Sequence, residues 1–94
     1  MQKFVMLGKY STQALQGMSV QRTKRARDMV KQFGGEVEEV YAILGDWDLV
    51  LIVSLPSLED ALKASVALTK LTGIGFSTSP AVPVETFDQL MSKL

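Results

Sequence analysis

The 94 residues contain no cysteine, no histidine and no asparagine. Without cysteine there is no disulfide framework, no thiolate nucleophile and no sulfur ligand for a metal. Without histidine the chain lacks the commonest general base and the commonest transition-metal ligand. An excess of either charge is also missing: ten basic residues balance ten acidic ones, and the formal net charge is zero. Such a balance gives no general pull towards nucleic acid or an anionic membrane. No apolar run approaches the ~18 residues of a membrane-crossing helix. The opening Met1-Gln2-Lys3-Phe4-Val5-Met6-Leu7 starts like a signal peptide, yet its apolar segment stops at Gly8-Lys9 with no small-residue cleavage site behind it. A first strand explains this stretch better, and the expected location is cytoplasmic.

Apolar residues are what the chain has in quantity: 47% are hydrophobic and only 21% charged. That is the composition of a folded protein, and the length makes it one domain, 1–94. From Phe4 to Tyr10 the two alternating sets, Phe4, Met6, Gly8, Tyr10 and Val5, Leu7, Lys9, are both mainly apolar, which predicts a strand buried on both sides. Ser11 to Met18 reads as a loop or short helical turn. Ser19 then caps a helix whose inward stripe is Ala26, Met29, Val30 and Phe33, and Gly34-Gly35 ends it with positive φ. Glu36 to Leu44 reads as a second strand, with Val37, Tyr41 and Ile43 on one face and Val40, Ala42 and Leu44 on the other.

Gly45-Asp46-Trp47-Asp48 is short enough for a hairpin turn into a third strand, Leu49 to Leu55, which opens with the longest unbroken apolar run. Pro56-Ser57 breaks that strand and caps a second helix, in which Ser57 and Asp60 form a weak capping box. Leu58, Ala61, Leu62, Ser65, Leu68 and Thr69 are its expected buried stripe, and Gly73 stops it. Gly75 to Ser79 reads as a fourth strand, which Pro80 and Pro83 confine to an edge. A short helix over Glu85 to Leu94, with Phe87, Leu90, Met91 and Leu94 as its stripe, completes the chain.

The order βαββαβ is that of the α+β ferredoxin-like fold, a four-stranded antiparallel sheet with two helices on one face. The other face stays bare, so it should read polar at every second strand position. Here the first and third strands are apolar on both sides. At roughly 25 cal/mol per Å² of apolar surface, leaving such a face wet forgoes several kcal/mol. Either the C-terminal helix or a second copy of the sheet must cover it. Three turns of helix are too few for the whole face, so a sheet-on-sheet homodimer is expected, with exchange of the C-terminal segment as an option.

Candidate site residues cluster around the turn. Asp46 and Asp48 flank Trp47 as a paired carboxylate would for acid–base chemistry. The structural alternative gives Asp46 the turn and Asp48 a backbone or basic partner at the mouth of a buried strand. Trp47 is either a contact or pocket residue or plain packing at the sheet edge. Tyr10 and Tyr41, taken as lying on neighbouring strands, with Lys9, Ser77 and Thr78, are candidates to line a cavity between sheet and helices, against ordinary packing. The basic run Arg22 to Lys31 has neither aromatic interleaving nor net charge behind it, and reads as a solvated face opposite Glu36, Glu38 and Glu39 of a neighbour.

Leu7-Gly8-Lys9-Tyr10-Ser11, Phe33-Gly34-Gly35-Glu36-Val37 and Leu44-Gly45-Asp46-Trp47-Asp48 together resemble the GYD-domain family over nearly the whole chain. That family is named for a glycine–aromatic–aspartate turn, and Trp47 stands where it usually has tyrosine. The resemblance implies a ferredoxin-like domain of the dimeric α/β-barrel group. The same turn is similar, more distantly, to one in the ligand-binding domain of Lrp/AsnC-type regulators. Two functions are therefore weighed. The first is a homo-oligomeric, small-molecule-binding or regulatory domain with no cofactor, metal, nucleic-acid or membrane partner. The second is a cofactor-independent oxygenase or isomerase, which other dimeric α/β-barrel proteins include. The missing histidine and asparagine rank it below the first.

Overall fold

Strands that are apolar on both faces belong in the middle of a sheet, and that is where the first and third strands lie. A computed structural model describes residues 1–94 as β1 (Gln2–Tyr10), α1 (Thr12–Gln16), α2 (Val20–Gln32), β2 (Glu36–Ala42), β3 (Leu49–Leu55), α3 (Leu58–Thr72), β4 (Ile74–Ala81) and α4 (Val84–Met91). The sheet order is β2-β3-β1-β4, with every neighbouring pair antiparallel. The fold is α+β and ferredoxin-like. The proline-bearing β4 takes an edge, as Pro80 requires. Tyr10 and Tyr41, however, are not on neighbouring strands, because β3 runs between β1 and β2.

One face of the sheet builds the core. Phe4, Met6, Leu51, Val53 and Leu55 meet Val30 of α2 and Ala61, Ala64 and Leu68 of α3 there. The stripe of α3 is rotated from its expected position. Ala61, Ala64, Leu68 and Thr72 are buried, whereas Leu58 is 51% and Leu62 61% exposed. Small side chains let the helix lie close to the sheet, so the larger leucines ride outside. Ser19 and Ser57 cap as expected, accepting from the N–H of Arg22 and of Asp60. The two glycines after α2 do different jobs. Gly34 takes the positive φ, 84°. Gly35 is fixed by space, since a Cβ there would lie 2.1 Å from the Ser54 carbonyl oxygen.

β2 ends at Ala42, two residues earlier than its sequence pattern suggests, and its register shifts between Val37 and Glu39. That bulge changes the faces. Val37 and Val40 both pair with core-facing residues of β3, and Tyr41 pairs with Val50 on the opposite face. α4 packs extensively on no other element and buries none of its residues. The molecule therefore measures 49 × 30 × 18 Å, with a radius of gyration of 14.2 Å, against about 12 Å for a compact chain of this length. No helix is long and apolar enough to cross a membrane.

Candidate functional site

The β2–β3 connection is wider than a two-residue hairpin, and the Ile43 N–H donates to the Asp48 carbonyl at 2.9 Å across its base. Gly45 adopts φ 113°, a conformation side chains rarely take, which accounts for glycine at that point. Asp48 then ties the connection to β1. Its N–H donates to the Gly8 carbonyl at 2.9 Å, and its Oδ2 accepts the Tyr10 N–H at 2.9 Å. The β1–β3 ladder ends at Gly8 and Leu49, so the Asp48 carboxylate stands in for the strand partner that Tyr10 no longer has. Lys9 Nζ donates to the Asp46 carbonyl at 2.7 Å. The two aspartates thus act as clamps, one through its side chain and one through its backbone. No group of three or more carboxylates gathers here or elsewhere to hold a metal ion. Trp47 is half-buried beside them.

The other candidates are divided between the two faces of the sheet. Register places Tyr10 opposite Ile74 and Thr78 opposite Met6 on the helix-covered face, and Lys9, Ser77 and Tyr41 on the open one. Thr78 lines a hollow between β4 and α3, its hydroxyl donating to Ser65 at 3.1 Å, and Tyr10 lines a separate cavity between the sheet, α2 and α3, of about 60 Å³. Leu49, Leu51 and Phe76 supply its sheet side and Ala26 and Leu68 its helix side, while Arg22 and Arg27 are its charged residues. No carboxylate lines it. The Arg22 guanidinium lies 5.9 Å from the centroid of the Tyr10 ring and donates to the Ala14 carbonyl. Tyr41, Trp47, Asp48 and Lys9 take no part in this cavity. Arg22 is legible in the sequence, since the α2 stripe extrapolated four residues back from Ala26 falls on it. Phe76 is hidden there because the strand around it reads as small and hydroxyl-rich.

The open face carries the second surface. Val5 pairs with Ile52 and Leu7 with Val50, and these four make its apolar centre. Its rim is polar. Lys3 Nζ donates to Glu38 Oε1 at 2.7 Å, the one ion pair of the structure, and the Tyr41 hydroxyl donates to Glu39 at 3.0 Å. Two of the three glutamates expected to meet a neighbour's basic helix therefore already have partners within the chain. The Lys3 ammonium, with the nearby Ser54 hydroxyl, holds the Glu38 carboxyl below its ordinary value. The Glu39 carboxylate pushes the Tyr41 phenol above its own.

The family model described as GYD domain matches residues 4–91. No curated protein matches the chain. Several solved structures share the fold, among them the following three. The leucine response regulatory protein (LrpA) of Mycobacterium tuberculosis is 11% identical, with a TM-score of 0.59 over 87% of this chain and 51% of that one. An AsnC family transcriptional regulator from Agrobacterium tumefaciens is 22% identical, with a TM-score of 0.59 over 87% and 50%. TTHA0845 from Thermus thermophilus is 21% identical, with a TM-score of 0.58 over 88% and 95%. The chain spans about half the length of the two regulators and nearly all of TTHA0845.

Proposed function

The chain belongs to the GYD-domain family, and on that premise we propose that it is a homodimeric, small-molecule-binding regulatory domain rather than a catalyst. One observation carries the reading: the apolar centre of the open face, formed by Val5, Leu7, Val50 and Ile52, which no element of its own chain covers. A second copy packed sheet on sheet covers it, and the polar rim of Lys3, Glu38, Glu39 and Tyr41 surrounds the contact, as interface anatomy favours. The regulators that share the fold support a sensing role, since their matched half is the part that resembles this whole chain. The turn fits binding better than chemistry, because its carboxylate at Asp48 is held by the Tyr10 N–H. The cavity beneath α2 is where a small molecule is accommodated.

Two substitutions test the assembly. Ile52→Lys places a charge in the centre of the open face and is expected to convert dimer to monomer in a light-scattering measurement, with an unchanged far-ultraviolet spectrum. Leu62→Lys, on the exposed side of α3, leaves the dimer intact. The proposal fails if both variants keep the wild-type mass, or if Leu62→Lys is the one that dissociates.

A further inference from the structure

The cavity beneath α2 has a composition that selects the chemistry of its occupant. We infer that it takes a short apolar carboxylate without an ammonium group, its carbon chain against Leu49, Leu51 and Phe76 and its carboxylate on Arg22 and Arg27. This rests on the reading of the cavity as the ligand site and adds the class of ligand.

Four observations lead there. First, both arginines lack an anionic partner, because the only ion pair in the structure joins Lys3 and Glu38 on the other face of the sheet. Arg22 uses one donor on the Ala14 carbonyl and rests on the Tyr10 ring, which holds the rest of its fork in place. A guanidinium carries five N–H donors, so several remain for a carboxylate, in the bidentate geometry it matches best. Arg27 adds a second positive charge, its own contact being a long 3.5 Å hydrogen bond to the Val37 carbonyl.

Second, no aspartate or glutamate lines the cavity. An α-amino acid would bring an ammonium to the mouth beside Arg22 and Arg27 with no carboxylate to receive it, and like charges repel there. Third, two of the three hydroxyls of the lining are already engaged, leaving that of Tyr10. Thr72 Oγ1 donates to the Leu68 carbonyl at 2.7 Å and accepts from the Ile74 N–H at 3.0 Å, and Thr23 Oγ1 donates to the Ser19 carbonyl at 3.3 Å. A sugar or a simple alcohol therefore finds few free partners. Fourth, the volume is small. About 60 Å³ is less than half the ~150 Å³ of an apolar cavity that takes benzene, which suits a chain of a few carbons with its carboxylate left at the mouth beside the arginines.

The test is a nitrogen-15 amide-shift titration of the full chain with three matched probes: butyrate, its neutral isostere butyramide, and the ammonium-bearing 2-aminobutyrate. Butyrate is expected to shift the amides of Arg22, Leu51 and Phe76 saturably. Butyramide and 2-aminobutyrate should bind about tenfold to a hundredfold more weakly, the worth of a charged hydrogen bond. Arg22→Gln should weaken butyrate by a similar factor, and Ala26→Leu, which fills the cavity, should abolish the shifts. Equal binding of butyrate and butyramide overturns the carboxylate assignment while leaving the cavity as a ligand site. Tighter binding of 2-aminobutyrate overturns the exclusion of an ammonium. If none of the three moves the cavity amides, the ligand-site reading falls with the inference. The comparison of probes on the wild-type chain stands even where a variant fails to fold.

Discussion

At Gly35 a methyl group has nowhere to go, because its Cβ would sit 2.1 Å from the Ser54 carbonyl oxygen and 2.6 Å from a Leu55 methyl. Gly75 is the opposite case, with nothing within 4 Å of its added Cβ. Gly35→Ala is therefore expected to cost about 3 kcal/mol or more, and Gly75→Ala to stay within about 0.5 kcal/mol in a monomer. Urea unfolding of the two variants beside the wild type checks both figures. Charge at single residues gives a second prediction. The Lys3 ammonium lowers the Glu38 carboxyl from its ordinary 4.5. Because the folded value is the lower one, this contribution to stability is complete above about pH 4.5 and is lost as pH falls through the folded value. The Tyr41 phenol, raised from 10.0 by the Glu39 carboxylate, behaves in the reverse sense, contributing below pH 10 and losing its effect above. Carboxyl carbon shifts followed by pH should show Glu38 titrating below an ordinary glutamate, and Lys3→Met should return it. An unchanged midpoint in that variant would assign the shift to another cause.

Elements are legible where a single physical rule governs them. The serine caps before α2 and α3 and the two-sided apolar patterns of β1 and β3 follow from local chemistry, and the structure has each where that chemistry puts it. The bulge in β2 is not legible. One extra residue reverses which side chains face inward, and alternation alone carries no mark of it. The α3 stripe misleads for a related reason: Ala61 and Ala64 give closeness to the sheet, while the leucines that catch the eye lie outside. The same limits apply to the site. Tyr10 stands out in the sequence, but the companions that seem to go with it, Lys9 and Tyr41, belong to the open face. α4 is the element with the clearest unmet need. Phe87 is 51% and Leu90 52% exposed, and no residue of the helix is buried. An eight-residue helix in water is marginal by itself, so its order is expected to come from a second copy. Phe87→Ser with Leu90→Ser should weaken dimerisation by about tenfold or more and raise the hydrogen-exchange rates of α4 to those of an unstructured peptide. Unchanged exchange and affinity would show that α4 is stable without a partner.

The whole molecule is a two-layer sandwich, helices on sheet, with one face of the sheet uncovered. Helices cover one face of the sheet, and the bulk of the burial follows from that contact, leaving an apolar centre on the other face and an unpacked arm at one end. The proposed second copy would cover both, and it would account for β1 and β3 being apolar on both sides at once. The turn that begins β3 sets this up, since Asp48 fixes the end of β1 against β3 and so keeps Leu7 beside Val50 on the open face. The most direct test is the mass of the wild-type chain by light scattering at micromolar concentration. Twice the 10.3 kDa of one chain, or a higher even multiple, is the expected result. A particle of 10.3 kDa that remains monomeric up to about 100 μM, weaker than the affinity range of specific interfaces, would contradict it.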